Sequence, residues 1–270
     1  LPNYSVFDEK RVFNKNNTPE IFNFRGIKLG IPICEDIWMD NVCKELKDQG
    51  CELIISPNGS PFDKYKINQR KTIIEDRVTE VKTPFVYVNQ FGGQDELVFD
   101  GSSLVMNGNK EVVFEAPSWE ENTSVVEFNV SAKKFNDLPF EKAQVSDLEN
   151  IYMAMVIGLK DYVAKNNFPG VILGLSGGID SAFCAAVAVD ALGKDKVNAY
   201  MLPSVYTSKN SLDDAKDCAK RLEIRLDSIP ISNTFLSLED SLEELFKGLP
   251  TDITEENLQS RIRGTILMAI

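Results

Sequence analysis

The chain contains no histidine. Ser/His/Asp and Cys/His catalysis within it are thereby excluded, and any general acid or base must be Asp, Glu, Lys, Tyr or Cys. Long apolar runs are missing too: none reaches the roughly 18 residues of a membrane-spanning helix, and no basic, apolar leader opens the sequence. A cytoplasmic protein without a membrane partner is expected. Positive charge is scarce, with 29 Lys and Arg against 41 Asp and Glu, a net charge of −12. Binding nucleic acid needs a dense Lys/Arg stripe to neutralise phosphates, so no nucleic-acid partner is expected, although a local basic pocket remains compatible with that charge. The five cysteines, Cys34, Cys43, Cys51, Cys184 and Cys218, are odd in number and form no CxxC pair. Neither a disulfide framework nor a zinc site is suggested.

What is present is ordinary globular material, 43% hydrophobic and 26% charged, with length for about two domains. The pattern divides between residues 139 and 140. The first part predicts a strand at 27–33, a helix at 39–49, a strand at 51–56, a long helix at about 63–82 and a strand at 84–90. A hairpin follows, ending one strand at LVM before Asn107-Gly108 and carrying EVVFEA beyond it. Residues 130–148 show no clear period and read as a linker. From Asp147, the spacing of Leu148, Ile151, Met155 and Leu159 fits an amphipathic helix. Alternation then predicts strands at 170–175, 197–202 and 224–229 around helices at 181–192 and 208–222. The fold class is α/β, with antiparallel strands at one side of the first layer and a doubly wound parallel sheet in the second part. A ligand of that sheet belongs at the carboxyl ends of its strands, where LSGGIDS, residues 175–181, lies.

Two glycines, two hydroxyls and an acid at one strand-to-helix junction suit an anion. Gly177 and Gly178 let the backbone turn tightly and aim N–H groups at a ligand. Ser176 and Ser181 add hydroxyl donors, the helix N-terminus adds partial positive charge, and Asp180 could hold Mg²⁺ against phosphates. The spacing is neither GxxxxGK[ST] nor GxGxxG. The bland reading is a turn capped by Ser and Asp.

SGGIDSA resembles the pyrophosphate-binding loop of the ATP pyrophosphatase superfamily, whose members cleave ATP to AMP and pyrophosphate while adenylating a substrate. That resemblance implies an adenine-nucleotide α-hydrolase-like domain and ATP contacts from Gly174, Leu175, Ser176, Gly177, Gly178, Ile179, Asp180, Ser181 and Met201. YMLPSVYTSKNSLDDAKDCAKRL (200–222) and TEENLQSRIRG (254–264) are similar to NAD synthetase. They imply an adenosine pocket along the first and contacts to deamido-NAD from Asn257 and Arg261 in the second. Read without the resemblance, 254–264 is an amphipathic helix capped by Thr254.

In the first part, GIPICEDIW (30–38) resembles the nucleophile motif of the nitrilase superfamily in its glutamine-amidase form. LPNYSVFDEKRVF (1–13), NGSPF (58–62) and FGGQDELVFDGSS (91–103) also resemble the amidase domain of glutamine-dependent NAD synthetases. The likeness implies Cys34 as nucleophile, Glu9 as a second acid near the thiol, and Tyr4, Ser60 and Lys66 as glutamine contacts. For an isolated cysteine at a strand end, a small buried hydrophobe is the plain alternative. Cys43, Cys51, Cys184 and Cys218 read as packing residues. The glutamate and lysine that complete the triad in these relatives lie upstream of LPNY, and further nucleotide contacts lie downstream of residue 270. A piece of a longer protein is therefore expected.

The whole resemblance implies residues 1–139 as the C-terminal part of a nitrilase-like α/β sandwich and 140–270 as part of an NAD synthetase domain. Glutamine, ATP and deamido-NAD are the expected substrates, Mg²⁺ the cofactor and a homo-oligomer the assembly. The alternatives are another amidation by the same loop, such as asparagine or GMP synthesis, an amidase with a domain that only binds nucleotide, and an inert ATP-binding piece.

Overall fold

The structure, a computed structural model, describes residues 8–14, 16, 18–39, 41–138, 140, 145–248 and 252–270. It divides into two compact units, Leu1–Gly158 and Leu159–Ile270.

The first unit is built on a six-stranded sheet. Its elements in chain order are β1 (Ile21–Phe24), β2 (Ile27–Gly30), α1 (Val42–Asp48), β3 (Leu53–Asn58), α2 (Lys66–Val81), β4 (Phe85–Asn89), β5 (Phe91–Gln94), β6 (Leu97–Asp100), β7 (Leu104–Met106) and β8 (Val112–Glu115). The sheet order is β1-β2-β3-β4-β7-β8, with β2, β3 and β4 mutually parallel and the outer strands antiparallel; β5 and β6 form a separate hairpin. α2 buries Arg70, Ile74, Arg77, Val78 and Val81, a helical stripe, and its apolar members meet Ile54, Phe85, Tyr87 and Met106 of the sheet. Burial of each such aliphatic side chain stabilises by about 1.5–3 kcal/mol. Cys43 and Cys51 belong to this core.

Several boundaries depart from the sequence pattern. β2 stops at Gly30 rather than 33, since Pro32 has no N–H for a ladder and Cys34 turns left-handed at φ 45°. The β1–β2 hairpin, turning on Arg25 and Gly26 at φ 50° and 85°, adds an edge strand that the sequence pattern does not mark. The stretch read as a linker contains β10 (Lys134–Phe135), paired with β9 (Phe128–Asn129). Asn107 of the hairpin turn accepts from Phe135 N–H at 2.8 Å and donates to the Phe135 carbonyl at 3.1 Å. One side chain thus docks that segment without any hydrophobic period. α3 (Asp147–Lys165) follows, and in the first unit its Asn150 accepts from the Trp119 indole at 2.7 Å.

The second unit holds β11 (Val171–Gly174), α4 (Ile179–Leu192), β12 (Val197–Met201), α5 (Lys209–Leu222), β13 (Arg225–Ser228), α6 (Ser232–Phe246) and α7 (Ile253–Ala269). The strands are parallel in the order β11-β12-β13, so right-handed crossovers place α4 and α5 on one face. Small residues let them close on it: Ala185, Ala188, Ala215 and Ala219 are buried against Val197 and Ala199. α6 lies beyond the strands and helices that the alternation predicts; its Phe235 is fully buried and packs with Ile231, Leu202 and Ile262. The cap of α7 is Asp252 rather than Thr254, whose N–H donates to Asp252 Oδ1 at 2.7 Å, while Glu255 reaches back to Asp252 N–H. Among the described residues, no helix is long and apolar enough to cross a membrane.

Candidate active sites

In the first unit, Cys34 sits on a short turn between β2 and α1, in a left-handed conformation uncommon for a side chain with a Cβ. Asp36 holds the turn by accepting Ile33 N–H at 2.9 Å. The thiol is half-buried, and burial pushes its pKa up; a Gly59 backbone hydrogen bond and the Lys66 and Arg70 charges oppose that rise, while the nearby Glu9 carboxylate adds to it. Glu9 lies on a single turn, Glu9–Arg11, and its Oε2 is buried with no hydrogen-bond partner among the described residues. Lys66, the first residue of α2, places its Nζ 4.5 Å from the centre of the Trp38 ring. Glu35 is raised by burial, with Lys66 opposing.

Beneath this group lies a buried ion pair. Arg70, 3% exposed, donates from Nη1 to both carboxylate oxygens of fully buried Asp100 at 2.8 Å. Its Nε reaches Ser60 Oγ at 3.0 Å, and its Nη2 the Ser60 and Pro61 carbonyls at 2.7 and 2.9 Å. Asn89 Oδ1 accepts Ser60 N–H at 3.0 Å. The Gly59–Pro61 segment beside the thiol is therefore pinned from two sides. Tyr87, pushed up to about 12 by burial, lies beside Ser60, Arg70 and Cys34. Its hydroxyl has no hydrogen-bond partner within ordinary geometry among the described residues.

The loop of the second unit turns directly after β11. Gly177 has φ +84°, and a Cβ there would lie 2.2 Å from the Ser211 carbonyl oxygen of α5. Only glycine satisfies both constraints. Ser181 Oγ accepts Ser176 N–H at 3.2 Å, donates to the Gly178 carbonyl at 3.0 Å and lies 3.0 Å from Ser176 Oγ; Ser176 Oγ accepts Gly178 N–H at 3.2 Å. The hydroxyls thus shape the loop as well as facing outward. The first-turn N–H groups of α4, which a helix leaves without internal partners, start here. Asp180 is exposed in that turn, and its carboxylate has no hydrogen bond among the described residues. Beside the loop, at the carboxyl ends of β11 and β12, opens a cavity of about 450 Å³.

That cavity gathers Gly174, Leu175, Ser176 and Met201. Gly177, Gly178 and Ile179 instead border a shallow groove between α4 and α5. Asn257 and Arg261 are exposed on α7 and do not line the cavity. Tyr4 lies outside the described residues. Cys184, read as a packing residue, is exposed, because its position on α4 faces away from the sheet; all five cysteines are free. Residues not singled out from sequence are Arg70 and Asp100 in the first unit and Thr207, Ser208, Ser211 and Arg263 around the cavity. A charged residue on the apolar stripe of α2 was the available signal for Arg70. No comparable local signal marks Arg263.

A carbon-nitrogen hydrolase family model matches residues 1–134, and an NAD synthase model matches residues 151–270. The whole chain is 44% identical to the glutamine-dependent NAD(+) synthetase of Rhodobacter capsulatus, covering 49% of that protein, and 42% identical to that of Acinetobacter baylyi, covering 50%. Among solved structures, the glutamine-dependent NAD+ synthetase of Acinetobacter baumannii in complex with ADP superposes with a TM-score of 0.94 at 42% identity, over 100% of this chain and 51% of that one. A second such synthetase, from Cytophaga hutchinsonii, shares the fold with a TM-score of 0.75 at 18% identity, over 93% of this chain and 47% of that one. The chain spans about half the length of the relatives it matches, and over all of its own length it is similar to glutamine-dependent NAD(+) synthetases, with a carbon-nitrogen hydrolase segment followed by an NAD synthase segment.

Proposed function

We propose that the protein to which this chain belongs makes NAD by amidating deamido-NAD, with ammonia drawn from glutamine and ATP cleaved to AMP and pyrophosphate. The observation that carries this reading is the pairing of two chemistries in one chain: a cysteine on a strained turn in a carbon-nitrogen hydrolase segment, and an anion loop in an NAD synthase segment. Whole-chain similarity to synthetases disfavours the inert ATP-binding piece as an alternative.

In the first reaction, the Cys34 thiolate attacks the glutamine carboxamide carbon, ammonia leaves, and water hydrolyses the thioester to glutamate. Because burial holds the thiol protonated, a base must take its proton as attack begins. Glu9 is the described carboxylate we assign near it, and Lys66 and Ser60 are assigned to hold glutamine, with Tyr4 as a further contact. In the second reaction, the nicotinic acid carboxylate attacks the α-phosphorus of ATP and pyrophosphate leaves. Ammonia then attacks the acyl carbon and AMP departs. Activation is needed because a carboxylate is a poor electrophile and AMP a good leaving group.

Gly174 to Ser181 and Met201 are assigned to ATP, and Asn257 and Arg261 to deamido-NAD. Mg²⁺ fits this site only in one form. Among the described residues, no group of three or more Cys, Asp or Glu could cage a metal. Mg²⁺ commonly sits on one or two carboxylates plus substrate phosphates, and the free Asp180 carboxylate beside the loop meets that requirement. Asp180 would hold the ion, which when bound neutralises phosphate charge. We further place the domain boundary at 139/140 and assign the protein to the cytoplasm as a homo-oligomer without nucleic-acid partners.

The test is NAD and AMP formation from deamido-NAD, ATP and Mg²⁺ by the full-length protein, with glutamine or ammonium as nitrogen source. Equimolar NAD and AMP from either source is expected. Absence of NAD from both, with ATP bound, would mean that another acceptor must be sought.

A further inference from the structure

The cavity of the second unit presents a charge that its neighbours leave unbalanced. Arg263 stands on α7 next to buried Ile262 and one turn after buried Gln259. Its Nε donates to the Leu202 carbonyl at 3.1 Å, and its Nη2 donates to Gln259 Oε1 at 3.3 Å. Both acceptors are neutral. Five other arginines rest on carboxylates, Arg11 on Asp8, Arg70 on Asp100, Arg77 on Glu80, Arg221 on Asp217 and Arg225 on Asp227, and the two that do not among the described residues, Arg25 and Arg261, are exposed to water. Arg263 has no such partner among the described residues, in a protein with an excess of acids.

Burial draws its pKa below the usual arginine value, yet a guanidinium stays protonated in proteins. A cation partly withdrawn from water and lacking a counter-ion is destabilising until an anion joins it. Arg263 is also the single charged side chain among the described residues lining the 450 Å³ cavity. The rest of the polar lining is uncharged, with hydroxyls from Ser176, Thr207, Ser208 and Ser211. An uncharged polar wall with one unpaired guanidinium suits a ligand that carries both a neutral portion and an anionic group.

We propose that Arg263 is the anion-binding side chain of this cavity and pairs with a phosphate oxygen of the bound nucleotide, while its Nε holds the Leu202 carbonyl just beyond β12. The guanidinium fork suits that division, because separate N–H groups serve the backbone and the phosphate. The proposal rests on the nucleotide-binding reading above and extends it to a residue outside the loop. Its rival is a purely structural tie between α7 and the end of β12.

Binding of ATP and of adenosine should be measured on the full-length protein and on its Arg263→Met and Arg263→Lys variants, with a thermal unfolding curve for each. In Arg263→Met the ATP affinity is expected to fall about tenfold or more, with adenosine affinity held within about twofold. Arg263→Lys should lie between, because an ammonium keeps the charge and loses the fork. A structural tie would lower both affinities by one factor, or leave both intact, and either result overturns the proposal. Should the Met variant fail to fold, the Lys variant carries the same comparison: weakened ATP with unchanged adenosine supports the proposal, and parallel change refutes it. Wild-type protein that bound neither ligand would instead overturn the nucleotide reading itself.

Discussion

Replacing Asp100 with asparagine tests the pairing beneath Cys34 with little change in volume. Asp100 is fully buried, accepts both 2.8 Å bonds from Arg70 Nη1 and takes the Ser102 hydroxyl at 2.7 Å. Asparagine keeps one acceptor and leaves the guanidinium charge buried without a counter-ion. Removing one partner of a buried pair costs about 3–5 kcal/mol, and the retained acceptor puts Asp100→Asn near the lower end. For a unit of this size, that loss lowers the unfolding midpoint by roughly 6–12 °C. Both tryptophans of the chain, Trp38 and Trp119, lie in the first unit, so their fluorescence during urea or thermal unfolding reports on that unit alone. The double variant Arg70→Met/Asp100→Leu, which removes both charges, should lose less than Asp100→Asn. A single-variant loss below about 1 kcal/mol, the range of exposed pairs, would refute the claim that this pair is desolvated and pins the Gly59–Pro61 segment.

Two further outcomes follow from the packing. Gly177→Ala and Gly193→Ala both force alanine to φ near +80°, and Gly193, with ψ 151°, lies in a region nearly restricted to glycine, so each carries a backbone cost on the order of 1–3 kcal/mol; only the first also drives a Cβ into α5 backbone at 2.2 Å, while nothing lies within 4 Å at Gly193. Gly177→Ala should therefore be clearly the more destabilising and weaken ATP binding, and equal losses in a calorimetric comparison would contradict the loop geometry. Burial raises Cys43 to about 12, so the folded state holds that proton more tightly than the unfolded chain does. Its contribution is complete below about pH 9 and is lost as pH rises toward 12, by up to about 4 kcal/mol. Urea midpoints should fall across that window and fall less steeply in Cys43→Ala; identical slopes would remove Cys43 as a cause.

The parts of this account legible in sequence are those encoded locally. The SGGIDS turn shows itself because glycine tolerance, hydroxyls and the strand-to-helix change occupy consecutive residues; Gly177 takes the left-handed conformation and Ser176 and Ser181 bond within the loop, but the N-cap of α4 is Gly178 and neither a Ser nor an Asp side chain caps it. The helix stripe of α2 is legible for the same reason. What stayed hidden depends on pairing across distance. Asp100 meets Arg70 from 30 residues away and Arg263 meets Leu202 from 61, separations at which no period survives. Asn107 docks Phe135 through backbone bonds that leave no hydrophobic trace. α6 went unread because Phe235 is its single fully buried anchor. The cap of α7 was misplaced by two residues because Thr254 and Asp252 are both good caps, and the Glu255 side chain selects Asp252.

The central claim is that one chain carries two separable reactions, and Cys34→Ala in the full-length protein tests it most directly. Rates of NAD formation would be measured with saturating glutamine and, separately, with saturating ammonium. The account expects the glutamine-supported rate to vanish while the ammonium-supported rate stays near that of the wild type, because Cys34 serves the first unit and the nucleotide loop the second. Equal loss of both rates in a folded variant, or retention of the glutamine-supported rate, would contradict the division of labour.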